Sequence, residues 1–306
     1  MEYLHRDKEL FLTAVNLAVN ETSPDARAIE KDYYITMLLK KITEQFNFVV
    51  FKGGTSLSKC YKIINRFSED IDITADILLT QGQKRKLKEA IVAIASELGL
   101  TILNISTIKS RMDYNCYELT YDSVLVDMPM ELSLESKITL ETSLTDVSFP
   151  VVILPVNSLI GDMFVKEAPD YMSQYGLMPF NMKVQGLERT FIDKVFAICD
   201  YYLKDRVDRH SRHIYDIHKL YTSAVSKDDA LHNLIKKVRA VRAQTKVSPS
   251  AQSDIDISCL LNKMVSENVY RDDYEMLTVK LLNDNVDYDE AIVSVRKIAE
   301  SGIFSD

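Results

Sequence analysis

The sequence predicts an α+β fold: a mixed sheet with flanking helices in the N-terminal half, followed by a mainly helical C-terminal half. Three observations carry this. Hydrophobic residues keep the helical period up to about residue 46, fall into short β-rich runs between about 47 and 154, and resume the helical period from about 157 to the end. Only 8 Gly and 7 Pro in 306 residues favour long helices over a sandwich of short strands. Hydrophobic residues make up 46% and charged residues 27%, enough to build a core and to exclude a disordered chain. The length fits two domains, drawn at 1–155 and 156–306.

Residues 6–46 read as two helices. In the second, Ile35, Leu38, Leu39, Ile42 and Phe46 form one apolar stripe, and Ser23-Pro24-Asp25 marks its start. Asn47–Phe51 is β-rich and runs into Lys52-Gly53-Gly54-Thr55-Ser56, after which Leu57–Ile64 forms a short helix. Asp70–Thr74 alternates acid and apolar residues, the period of a strand. Residues 81–99 form a helix with a basic outer face of Lys84, Arg85, Lys86 and Lys88. Thr101–Ile108, Tyr114–Tyr121 and Val124–Ser133 read as successive strands, with Tyr121-Asp122-Ser123 as a hairpin turn and Val147–Leu154 as a further strand. The rest is helical, with looser segments near 168–187 and 245–253.

Composition narrows the function classes. Against 37 basic residues stand 45 acidic ones, a net charge of −8. That balance excludes an indiscriminate polyanion binder, so a nucleic-acid partner has to be engaged through local basic patches. The N-terminal residues lack the charge and hydropathy pattern of a signal peptide, and no uncharged apolar run approaches the roughly 18 residues of a membrane span. Cys60, Cys116, Cys199 and Cys259 form no CxxC pair, which disfavours a structural zinc or disulfide framework. A reduced, cytoplasmic protein is expected.

The chemistry centres on two neighbouring segments. Gly53-Gly54 after a strand lets the backbone turn tightly and approach a ligand, and the N–H groups opening the next helix, with the Thr55 and Ser56 hydroxyls, suit a phosphate. Downstream, Asp70 and Asp72 point to one face of a strand while Ile71 and Ile73 point to the other. Two carboxylates roughly 6–7 Å apart on one strand face suit a hard cation such as Mg²⁺. A third acid is expected on a neighbouring strand. Asp127 and Glu131 share parity in Val124–Ser133, and Glu131, between Met130 and Leu132, is preferred.

Gly53-Gly54-Thr55-Ser56-Leu57, followed by Arg66-Phe67-Ser68-Glu69-Asp70-Ile71-Asp72, resembles the signature of the AbiEii/AbiGii-type nucleotidyltransferases of the DNA polymerase β nucleotidyltransferase superfamily. Ile29-Glu30-Lys31-Asp32-Tyr33-Tyr34, the Lys motif Glu188–Lys194 and Arg212-His213-Ile214-Tyr215-Asp216 resemble further elements of that family, with His213 standing where Asp is usual. The resemblance implies a nucleotidyltransferase-fold sheet and a Mg²⁺-dependent toxin of a toxin–antitoxin or phage-defence system. Such an enzyme transfers NMP from an NTP to an acceptor such as the tRNA 3′ end and has a cognate antitoxin. It further implies catalytic roles for Asp70, Asp72, Glu131, Lys194 and Asp216, with two metal ions held by Asp70, Asp72 and Glu131. Nucleotide binding falls to Gly53, Gly54, Thr55, Ser56, Arg66 and Ser68, and the helical domain contributes Lys194 and Asp216 to the cleft.

Some residues admit a plainer reading. Arg66 either meets phosphate or pairs with Glu69 or Asp70. Lys194 borders the apolar stripe of Leu187, Phe191 and Ile198, where it meets an anion, snorkels, or pairs with Asp216; Asp216 is otherwise a partner for Arg209 or Arg212. Lys84–Lys88 and a stripe of Arg239, Arg242 and Lys246 are the candidate RNA contacts. The alternatives are a small-molecule nucleotidyltransferase of the antibiotic-modifying type and a non-catalytic nucleotide-binding protein.

Overall fold

In the computed structural model the chain divides into two compact units, residues 1–60 with 68–184 and residues 61–67 with 185–306. The structure describes residues 2–22, 25–66, 68, 70–125, 135–223, 229–245 and 247–305.

The first unit is built on strands β1 (Val49–Lys52), β2 (Asp70–Ala75), β3 (Thr101–Ile102), β4 (Tyr114–Thr120), β5 (Lys137–Val147), β6 (Val151–Val156) and β7 (Phe180–Gln185). Among the described residues these form one mixed sheet in the order β3-β4-β5-β2-β1-β7-β6. β2 pairs parallel with β5 and β1 parallel with β7, while β1–β2, β3–β4 and β4–β5 are antiparallel. The alternation in β2 does what its period dictates: Ile71 and Ile73 are fully buried, and Asp70 and Asp72 keep partial exposure on the opposite face. Helices α1 (Lys8–Thr22), α2 (Ala26–Gln45), α3 (Gly53–Lys59), α4 (Gln81–Glu97) and α5 (Leu159–Glu167) complete the unit. The Asp25 side chain caps α2 by accepting from Arg27 N at 2.7 Å, and a reciprocal Thr80–Gln83 capping box starts α4. Ile29, Leu38, Leu39 and Ile42 of α2 join Ile91 and Ile94 of α4 in the core under Ile71, Ile138 and Leu140.

Two expectations change here. The first unit continues past 155 to 184, because β7 adds to the sheet in parallel with β1, with Val50 opposite Lys183 and Phe51 opposite Val184. Lys40 secures the connection, its buried ammonium donating to the carbonyls of Gly176 at 2.8 Å and Met178 at 3.0 Å. Among the described residues the strand that follows β4 is β5, and most of the expected strand 124–133 lies outside them. Val124 and Leu125 carry no strand, and 126–134 lie outside the described residues. The buried Glu30 carboxylate instead holds this connection by accepting from Ser123 Oγ at 2.6 Å and Val124 N at 2.8 Å.

The second unit is helical: α6 (Leu187–Leu203), α7 (Arg212–Ser223), α8 (Asp229–Ala243), α9 (Ile257–Ser266), α10 (Arg271–Asp273) and α11 (Tyr288–Ser301). The segment 61–66 is fastened into it. The Tyr61 hydroxyl donates to Gln185 O at 2.8 Å, Asn65 N donates to the Tyr215 hydroxyl at 3.0 Å, and Asn283 N donates to Asn65 O at 2.9 Å. No helix among the described residues is long and apolar enough to cross a membrane.

Candidate active site

The Gly-Gly turn owes its composition to Asp72. Gly53 has φ +79°, a left-handed conformation that penalises any side chain. A Cβ built there collides with the Asp72 carboxylate, lying 2.9 Å from its Cγ and 3.1 Å from its Cβ. Only glycine therefore lets the carboxylate sit directly over the backbone where β1 passes into α3. Hydroxyls then clamp the turn to the start of β2. Thr55 Oγ1 donates to Asp70 O at 2.5 Å and lies 2.9 Å from Ser68 Oγ, and Ser56 Oγ donates to Gly53 O at 2.8 Å. The Thr55 and Ser56 protons thus go to backbone carbonyls, and both residues are buried. What the turn offers a phosphate is its backbone N–H groups, which as the first of a helix have no intrahelical acceptor.

A third carboxylate joins the two aspartates from β5. Glu141 stands in register with Asp72 on the adjacent parallel strand, with Thr139 opposite Asp70. Adjacent strands lie about 4.8 Å apart, so Asp72 and Glu141 are nearest neighbours on one face. The row extends to Lys52 on β1, paired with Asp72, and to Cys116 on β4, paired with Glu141. Burial, and then the charges of Asp72 and Asp70, push the Glu141 carboxyl above its ordinary value; a hydrogen bond from the Tyr114 hydroxyl and the Lys52 charge oppose the rise. Among the described residues no three acid, imidazole or thiol groups are gathered closely enough to hold a metal ion. Asp70, Asp72 and Glu141 form an open, all-oxygen set on one sheet face. That fits a hard cation such as Mg²⁺, which keeps waters and takes further ligands from a bound phosphate.

Glu141 is a candidate site residue that the sequence reading did not name, and Asp127 and Glu131, which it did, lie outside the described residues. The signal was present: Ile138, Leu140, Thr142 and Leu144 alternate with Thr139, Glu141 and Ser143, and the even positions are buried.

The second unit has its own charged cluster. Asp216, fully buried on α7, accepts from Arg66 Nε at 2.7 Å and Nη2 at 2.7 Å and from Lys194 Nζ at 2.6 Å. Burial alone raises the Asp216 carboxyl, but Arg66 and Lys194 overcome it and hold it well below the ordinary aspartate range. Burial lowers the Lys194 ammonium against the attraction of Asp216. His213 Nδ1 lies 3.4 Å from Lys194 Nζ; burial, then the charges of Lys194 and Arg212, keep this imidazole neutral. Lys194 and Asp216 therefore pair with each other, and Arg66 joins them.

Most of the expected basic stripe turns inward. Arg239 donates to the carbonyls of Ala251, Gln252 and Ile255, the last at 2.6 Å. Arg242 bridges Asp193 and Asp200, each at 3.0 Å, and Lys246 lies outside the described residues. On α4, Lys84 pairs with Asp113, and Arg85 with Glu89 at 3.6 Å.

The sequence model for nucleotidyl transferase AbiEii toxins of type IV toxin–antitoxin systems matches residues 38–294. The chain belongs to the AbiEii family. The match spans the Gly53-Gly54 turn, the aspartates of β2, Glu141 of β5, Lys194 and Asp216, and the mixed sheet is that of a nucleotidyltransferase-like fold. A search of curated proteins returns no match. As an AbiEii nucleotidyl transferase the chain is a transferase in general terms, of a family assigned to toxin–antitoxin pairs.

Proposed function

We propose that this AbiEii-family chain transfers NMP from an NTP to an acceptor hydroxyl, using Mg²⁺ held by Asp70, Asp72 and Glu141. The observation that carries the reading is the registered pair Asp72–Glu141 beside Gly53, whose backbone lies against the Asp72 carboxylate. The metal would polarise the phosphates and lower the pKa of the attacking hydroxyl. The chain's own groups do the positioning. The N–H groups at Gly53–Ser56 receive triphosphate oxygens, and Thr55 with Ser68 fixes the start of β2, so Asp70 and Asp72 keep a constant distance from that turn. Glu141, held in register beside Asp72, faces the attacking hydroxyl. The acceptor hydroxyl gives its proton to the Glu141 carboxylate as its oxygen bonds to the α-phosphorus, the bond from that phosphorus to the bridging oxygen breaks, and pyrophosphate leaves.

The acceptor we favour is an RNA end such as the tRNA 3′ terminus, and a cognate antitoxin is the expected partner, as the family's type IV assignment implies. The test incubates the protein with Mg²⁺, each α-labelled NTP, and either total RNA or a small-molecule extract. Label on RNA supports this reading, label on a small molecule supports the antibiotic-modifying class, and no label with any acceptor overturns transfer.

A further inference from the structure

An exposed aromatic ring borders the carboxylate row, two exposed cations stand in the loop that precedes it, and neither metal binding nor triphosphate binding uses them. The loop from Lys109 to Asp113 leads straight into β4, and Tyr114, the first residue of that strand, stands two positions from Cys116, the partner of Glu141, and so shares the carboxylates' face of the sheet. The ring is nonetheless 52% exposed, and Met112 beside it is 48% exposed. The side chains of Lys109 and Arg111 are exposed and make no ion pair among the described residues. Among the other cations of this part of the unit, Lys84 pairs with Asp113, Arg85 with Glu89 and Lys137 with Glu118, while Lys86 and Lys88 of α4 make no ion pair among the described residues.

The loop is held in shape. The buried Asn115 side chain closes its base, accepting from Lys109 N at 3.0 Å and donating to Lys109 O at 3.1 Å. Asp113 O accepts from Leu144 N at 2.6 Å, tying the loop's end to β5 three residues beyond Glu141. At its tip Arg111 adopts φ +68°, a conformation that glycine or asparagine takes more easily.

A row of carboxylates repels a polyanion. A phosphate-bearing acceptor therefore needs cations at the edge of the row and a surface on which a terminal base can stack. Aromatic faces combined with unneutralised Arg and Lys are the means by which single strands are bound without sequence readout. We propose that the loop 109–114 is the surface that receives the RNA acceptor, with Tyr114 stacking a base and Lys109 and Arg111 meeting phosphates. This rests on the transferase reading of the carboxylate site. It moves the nucleic-acid surface from the stripe of Arg239 and Arg242, which is engaged internally, to the border of the site.

The experiment measures anisotropy of a 5′-fluorescein-labelled single-stranded RNA of about 12 nucleotides, within the site sizes of such binders, against NaCl concentration. The paired change Lys109→Ala with Arg111→Ala is expected to lower the log–log salt slope by about 1.4, roughly 0.7 for each phosphate that the variant no longer neutralises. Tyr114→Leu weakens binding roughly 5- to 100-fold. Tyr114→Phe, which keeps the ring and removes the hydroxyl, retains RNA affinity, an outcome that a role for the hydroxyl alone would not produce. Binding of a fluorescent NTP analogue with Mn²⁺ is unchanged in the Lys109/Arg111 double variant. The proposal is overturned if the wild-type protein does not bind the RNA, or if the double variant and Tyr114→Leu bind it like wild type. Asp72→Asn separates the two levels: retained transfer in that variant refutes the site reading, and the RNA measurements alone decide the loop.

Discussion

Replacing Glu141 by Gln is expected to make the metal-free protein more stable while abolishing its activity. Glu141 and Asp72 occupy paired positions on adjacent strands, so their carboxylates lie roughly 5–6 Å apart. At that distance, with an effective dielectric of about 40 for a half-exposed face, their repulsion is about 1.5 kcal/mol. Asp70 adds less from further along the strand, and Lys52 offsets part of the sum, leaving a net penalty of about 1 kcal/mol. The sign follows from the raised Glu141 pKa. A carboxyl raised in the folded state contributes its full stability below its unfolded value and loses it as pH rises through the folded one. Glutamine, of the same shape and uncharged, removes that loss. Thermal melts should show Glu141→Gln above wild type by about 2–4 °C at pH 8, with the gap closing on acidification through the ordinary glutamate range. Mg²⁺ or Mn²⁺ should raise the wild-type Tm more than the variant's. A variant that melts at or below wild type at pH 8, or a gap that ignores pH, would refute the mutual repulsion of the row.

Two further changes test other parts of the construction. Gly53→Ala should cost about 1–2 kcal/mol from the left-handed backbone and also displace the Asp72 carboxylate; a urea titration and a Mn²⁺-binding titration should both register it. Asp216→Asn leaves Arg66 and Lys194 buried without their anion and should cost about 3–5 kcal/mol in urea unfolding. Because the Asp216 carboxyl is depressed, that loss should persist at neutral pH and shrink only as pH falls through its folded value in strong acid.

What was legible in the sequence was what depends on local periodicity. The Asp70–Ile73 alternation predicts a strand with both aspartates on one face, and a double glycine after a β-rich run predicts a tight turn. The segment 137–144 alternates just as clearly, yet local pattern cannot say which acid lies next to Asp72. That is decided by the parallel pairing of β2 with β5, across a long connection. The Arg66–Asp216 pair joins residues 150 positions apart, so spacing alone offered a phosphate, or a pair with the nearby Glu69 or Asp70. Helical spacing put Arg239 and Arg242 on one side of a helix, but only tertiary structure shows that the side faces backbone carbonyls, Asp193 and Asp200. Gly53 is the reverse case: the residue was noticed for its freedom, and the structure supplies the reason in the carboxylate packed against it.

The central claim is that Asp72 and Glu141 together form the catalytic carboxylate pair. Its most direct test compares label transfer from α-labelled NTP, with Mg²⁺ and RNA, by wild type, Asp72→Asn, Glu141→Gln and Glu131→Gln. Asp72→Asn and Glu141→Gln should each lose at least about 100-fold in rate, the scale of removing one transition-state-stabilising group, while Glu131→Gln stays near wild type. Near-normal transfer by Glu141→Gln, with Glu131→Gln inactive, would contradict the claim.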